Sequence, residues 1–239
     1  MRKTLLSLSM GMLLVGGVNA ASLQTSSTSQ PSAPAAACPT GPGFLSYNTD
    51  CTPVAGTVAC GGTGLVTTAE NSYYRRFVFA PGTNPNSTVA TVQIGIERAT
   101  SGTPGNPVGG LEIRVYTIAD GVPLTLAALT QIGSATFSAA DGAALTENII
   151  PIAPAAVIDD PATKNLVIEL FEPDLTAANS AVVFGSNATG TGITYLRAPS
   201  CGAAEPVDIA SLGAFGNIKI IAAAGGSGLP VTLQEYTID

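Results

Sequence analysis

The feature that most constrains this chain is an apolar period of two, broken at short intervals by turn-forming residues. Val92, Ile94 and Ile96 alternate with Gln93, Gly95 and Glu97, and Leu111, Ile113 and Val115 alternate with Glu112, Arg114 and Tyr116. Successive side chains of a strand point to opposite faces, so each run presents one apolar face and one that is wet or paired. Similar runs, some continuously β-branched, predict strands at Tyr73–Ala80, Ala90–Ala99, Leu111–Ile118, Ile132–Phe137, Leu145–Ile150, Leu166–Phe171, Ala181–Phe184, Thr194–Leu196 and Asn217–Ala222. Gly, Pro, Asn or Asp separate them, as in Asp120-Gly121 and Asp141-Gly142. No stretch carries a 3.6-residue apolar stripe, although Asp208–Leu212 could form one helical turn after Pro206. Strands and turns without helices indicate an all-β fold, an antiparallel β-sandwich of jelly-roll type.

The N-terminus predicts export. Arg2-Lys3 precede an apolar run from Leu5 to Val18, and Val18-Asn19-Ala20 has the form of a cleavage site, so residues 1–20 read as a signal peptide. The run is shorter than the ~20 residues of a bilayer span, and no later segment is long enough to cross after cleavage. Residues 21–59 are rich in Ser, Thr, Ala, Pro and Gly and read as a linker ordered near its cysteines. A sandwich domain is expected at 60–226, and residues 227–239 as a C-terminal tail or edge strand. Cleavage leaves seven basic against sixteen acidic side chains, an imbalance that argues against nucleic acid as a partner.

Four cysteines, Cys38, Cys51, Cys60 and Cys201, form an even set in an exported chain, for which two disulfides are the expectation. No zinc-type spacing is present. Of three connectivities we favour Cys38 with Cys51, closing a short Pro/Gly loop, and Cys60 with Cys201, whose flanks Ala59-Cys60-Gly61 and Ser200-Cys201-Gly202 bracket the strand-rich region.

The chain has no His and no Trp. A Ser-His-Asp or Cys-His relay is therefore excluded, and no Gly-x-Ser-x-Gly elbow appears. Paired carboxylates are the remaining acid-base chemistry, with Glu97, Glu112, Glu169, Glu172 and Asp174 as candidates, but sugar-cleaving sandwiches usually add aromatic platforms. We read these carboxylates as outward or salt-bridged strand residues. Arg75 shares a strand face with Tyr73, Phe77 and Phe79, so its guanidinium needs a partner, and Glu97 or Glu169 is expected to supply a structural ion pair. Asp159-Asp160 and the Glu169, Glu172, Asp174 group could hold Ca²⁺, yet no D-x-[DN]-x-[DN]-G loop is present, so a solvated acidic rim is preferred and no cofactor is expected. Asn86-Ser-Thr88 and Asn187-Ala-Thr189 have the form of glycosylation sequons.

Asn71 to Phe77 (NSYYRRF), Gly95 to Glu97, Leu111 to Thr117, Ile132 to Ser134, Leu166 to Pro173, Phe184 to Ala188 (FGSNA), Tyr195-Leu196, Cys201-Gly202, Pro206 and Asp208 follow one another in order. In this the chain resembles an accessory β-sandwich module of large secreted and surface proteins of bacteria, over roughly residues 60–225. That module ends in Phe-Pro-Asn-x-His, whereas this chain reads Phe215-Gly216-Asn217-Ile218-Lys219. The resemblance implies a non-catalytic module and supplies no catalytic residues.

The sequence thus predicts a secreted, disulfide-stapled, non-catalytic module for extracellular binding or surface structure, with an envelope or extracellular glycan or protein as partner. A carboxylate-dependent glycan hydrolase or lyase on a jelly-roll fold is the alternative. The expected binding surface is the loop set from Gly185 to Tyr195, with Asn187 and Tyr195 as contacts.

Overall fold

The computed structural model describes residues 21–26, 37–39, 41–79, 83–84, 86–187, 189–213, 215 and 218–230. The expected signal peptide and most of the C-terminal tail, residues 231–239, lie outside them. Two antiparallel sheets stack face to face as a β-sandwich.

The first sheet is built on β5 (Ser87–Thr100), which pairs along its length with β8 (Ala144–Ile158). The other edge of β5 is shared: β10 (Ala181–Phe184) takes its C-terminal part and β15 (Ala222–Gly225) its N-terminal part, with β2 (Phe44–Ser46) beyond β15. The second sheet has six strands in the order β13 (Ala203–Asp208), β12 (Thr194–Ala198), β4 (Asn71–Phe77), β9 (Lys164–Glu172), β6 (Val108–Ala119) and β7 (Thr130–Ala139). Two small ribbons, β1 (Ser22–Thr25) with β3 (Val58–Gly61) and β11 (Ser186–Asn187) with β14 (Lys219–Ile220), complete the set.

The apolar period of two fixes which face turns inward. Val92, Ile94 and Ile96 of β5, with Ile150 and Ile152 of β8, meet Ile113 and Val115 of β6, Ile168 and Leu170 of β9, and Leu196 of β12 in one buried core. Each such side chain contributes roughly 1.5–3 kcal/mol relative to exposure. Tyr73 sits among them and donates its hydroxyl to Val58 O at 2.7 Å, which satisfies the phenol in an otherwise apolar layer.

One sulfur bridge lies at this core, and the other closes a loop within the N-terminal residues and packs with Ile221 in a separate buried cluster. Cys38 is bonded to Cys51 and Cys60 to Cys201, with Cα separations of 4.7 and 5.9 Å. Residues 22–25 and 44–46, expected within a linker, are strands, and a third strand, 58–61, crosses the expected boundary between linker and sandwich. Their apolar content is too short for a periodic signal; β1 and β2 are set by pairing with β3 and β15. The turn expected after Pro206 is a 3-10 turn, Ile209–Leu212, capped by Asp208 Oδ1, which accepts from Ala210 N at 2.9 Å. Leu229 lies in the main core.

Candidate functional site

Because one face of the six-stranded sheet is packed on the core, the residues between the core positions project outward, and strand register aligns them in rows. The central row runs Asp208, Tyr195, Tyr74, Glu169, Arg114, Ser134. On one side lies Arg197, Ser72, Phe171, Glu112, Thr136, and on the other Arg76, Val167, Tyr116, Gln131. Three of the chain's six tyrosines gather here, in a protein of which only 10% is charged. Cross-strand neighbours lie close enough to interact directly.

Glu169 is the hub. Its side chain is buried, so the carboxylate must be matched by donors. Tyr74 donates to Oε1 at 3.0 Å, Tyr116 donates to Oε2 at 2.7 Å, and Arg114 Nη1 lies 3.5 Å from Oε1. Arg114 also donates from Nε to Glu112 Oε2 at 2.7 Å and lays its guanidinium 3.8 Å from the centre of the Phe171 ring. Burial works against the Arg114 charge, but the Glu112 hydrogen bond and the Glu169 charge outweigh it and hold its pKa above the usual value. Burial, followed by the Glu169 charge for Tyr74 and by the hydrogen bond to Glu169 for Tyr116, pushes both phenols well above the ordinary tyrosine range. Both therefore remain hydrogen-bond donors at any physiological pH.

One end of the face is roofed. Leu124, with Val122, Ala128 and Leu129, packs over Tyr74, Ile118 and Val167, while Arg76 Nη1 donates to Val122 O at 2.7 Å and Leu126 N donates to Glu205 Oε2 at 2.9 Å. Tyr116, Tyr195, Arg114, Glu112 and Phe171 stay half-buried beside this roof. At the far corner Arg197 is paired with Glu70 and donates to Ala204 O. The result is an aromatic and ionic surface held on rigid strands.

The expected ion pair of Arg75 with Glu97 or Glu169 is not formed. Arg75 does face inward and is fully buried, but its donors reach Thr194 Oγ1 at 3.2 Å and the Thr191 carbonyl at 2.8 Å. Tyr47 lies 5.8 Å from the guanidinium, and burial lowers the Arg75 pKa to about 10. Glu169 belongs to the opposite face of the sheet, which period two alone could not assign. Glu97, on β5, accepts from Ser26, from Thr57 N at 2.9 Å and from Gly56 N at 3.3 Å, and so fastens the N-terminal segment to the sheet.

Asn187 and Tyr195 do not form one surface. Asn187 is buried: its Oδ1 accepts from Asn48 Nδ2, Thr189 N and Thr189 Oγ1, and its amide donates to Asp50 O. These bonds lock the segment before Cys51 onto β11. Tyr195 is half-buried in the central row of the outward face. Arg114, Tyr116, Tyr74 and Phe171 went unassigned because a lateral row joins residues distant in sequence. The signal available was the alternation of Glu112, Arg114 and Tyr116, whose polar face needed neighbours.

The other candidate carboxylates have separate tasks. Glu172 is fully buried, accepting from Thr68 Oγ1, Val182 N and Asn71 Nδ2. Burial pushes its pKa up to about 8 despite those donors. Asp174 accepts from Thr176 N and Oγ1. Asp159 pairs with Lys164, and Asp160 accepts from Thr163. Among the described residues no three His, Cys, Asp or Glu gather in a way that could hold a metal ion.

No family model and no curated protein matches the chain. A solved structure of the cysteine protease and lectin-like domains of Cwp84, a surface layer associated protein of Clostridium difficile, is similar with a TM-score of 0.43 and 14% identity over 67% of this chain. The chain spans 32% of the length of that structure.

Proposed function

We propose that the chain is an exported, non-catalytic β-sandwich module that binds an extracellular or envelope component through the outward face of the six-stranded sheet. The observation that carries this reading is the half-buried set Tyr195, Arg114, Tyr116, Phe171 and Glu112, held in register by the buried Tyr74 and Glu169 beneath them. Aromatic and guanidinium groups on rigid strands contribute contact area at small entropic cost. Phenol, guanidinium and carboxylate edges suit a hydroxyl-rich ligand, so an envelope glycan is the partner of choice. Two disulfides fit an oxidising extracellular setting.

Each carboxylate considered for catalysis is engaged in a structural hydrogen bond, which supports the non-catalytic reading. Glu112 and Glu169 share the face, and this is the arrangement a glycan hydrolase would use, but Arg114 lies between them and binds both. The test is a pull-down of mature protein against envelope fractions and a glycan panel, with turnover assayed in parallel. Binding without turnover, lost in a folded Tyr116→Ala, Tyr195→Ala variant, supports the module. Hydrolysis abolished by Glu112→Gln or Glu169→Gln would replace it with the enzyme.

A further inference from the structure

Arg75 points to the opposite side of the same sheet from the binding face, and its surroundings are unusual for a buried cation. Among the described residues no carboxylate pairs with it. Nη1 donates to Thr194 Oγ1 and Nη2 to the Thr191 carbonyl, both neutral acceptors, while the buried Nε has no partner. In a guanidinium, Nε–H and the nearer Nη2–H point the same way and form the fork that grips two oxygens of one carboxylate. Here that edge meets a single carbonyl oxygen.

The covering layer is thin. Thr191, Gly192 and Ile193 are exposed, although the Thr191 carbonyl touches a fully buried side chain. Thr191 N is tied to Tyr47 O at 2.8 Å, and Gly190 and Gly192 flank it with φ of 108° and 72°. Such glycine backbones can turn the Thr191 peptide away without a side-chain penalty. Gly192 lies against the Tyr47 ring, where an added Cβ would come within 2.8 Å of Cδ2. Lifting this stretch would therefore uncover the Cδ2 and Cε2 side of the Tyr47 ring, which is stacked 5.0 Å from Phe77, together with the guanidinium edge.

We propose that the Nε and Nη2 edge of Arg75 is a subsite for the carboxylate of an acidic sugar, closed in this structure by the carbonyl of Thr191. The carboxylate takes the place of that carbonyl and fills both donors of the fork, and the Tyr47 ring receives the sugar face. Occupation supplies the counter-charge that the buried cation lacks. The lowered pKa of Arg75 is in keeping with this uncompensated burial. The subsite is independent of the tyrosine-lined face, so either can fail without the other.

The experiment follows the Arg75 Nε–H resonance of the mature protein by NMR at constant ionic strength. Glucuronate should shift the resonance saturably, and its uncharged methyl ester should leave it in place. Arg75→Lys, which keeps the charge and loses the planar fork, should bind glucuronate at least about tenfold more weakly, and Arg75→Met should not bind it. An unmoved resonance, an equal response to the ester, or undiminished binding by Arg75→Met would overturn the proposal. Tighter saturation by a peptide with a free C-terminus than by glucuronate would overturn the assignment to a sugar.

Discussion

The Tyr116 hydroxyl donates to Glu169 Oε2 at 2.7 Å, binding the neighbouring strands β6 and β9 through side chains on the outward face. Tyr74 reaches the other oxygen from the strand on the far side of β9, so one carboxylate links three strands. Tyr116→Phe should cost about 1–2 kcal/mol, and Glu169→Ala more, because it strands the buried Tyr74 hydroxyl and removes a countercharge of Arg114. Urea unfolding of the two variants checks the order; a costlier Tyr116→Phe would mean that Glu169 is not the hub.

Glu172 sets a pH dependence. Its folded pKa of about 8 lies above the ordinary value of 4.5, so the folded state holds a proton that the unfolded chain releases. The associated stability is complete below about pH 4.5 and is lost as the pH rises through about 8, at up to about 1.4 kcal/mol per pH unit within that window. Glu172→Gln should flatten this slope and exceed the wild type above pH 8 by on the order of a few kcal/mol. Denaturant titrations at intervals across the window measure it, and an unchanged slope in the variant would assign the dependence elsewhere.

Arg75 yields a prediction opposite to that of an ion pair. With a buried Glu as partner, removing the arginine would cost several kcal/mol by leaving a lone charge. Since no described carboxylate is left behind, Arg75→Met should melt within a few degrees of the wild type or above it. A large drop in Tm would show that the Thr191 and Thr194 bonds matter more than the burial of the charge.

The disulfides should differ in worth. Cys60–Cys201 closes a separation of 141 residues and Cys38–Cys51 one of 13. In the chain-entropy model their removal costs about 5 and about 3 kcal/mol respectively. Paired Cys→Ala variants, compared by Tm, test the ranking, and a costlier loss of Cys38–Cys51 would reverse it.

What could be read from the sequence was whatever is local. The alternation of Val92, Ile94 and Ile96 placed β5 and its buried face, and the flanks of Cys60 and Cys201 singled out that pair. Arg75 was placed on its buried face, but its partners came from a loop 116 residues away in sequence and from Thr194. Asn187 looked adaptable beside Gly185 and Gly190, yet its bonds to Asn48 and Asp50 cross the chain. The row Tyr195, Tyr74, Glu169, Arg114 joins four strands whose order no local pattern specifies. Short strands such as Phe44–Ser46 exist through pairing alone.

The most direct test of the proposed binding face is a footprint. Mature protein with isotope-labelled tyrosine, isoleucine and valine would be titrated with the envelope fraction or glycan that it retains, and the ring and methyl signals followed. Tyr116 and Tyr195 should shift together, while Tyr73, fully buried between the sheets, should not. Saturable binding that leaves Tyr116 and Tyr195 unmoved, and instead perturbs exposed Ile149 and Val157 on the other sheet, would contradict the account.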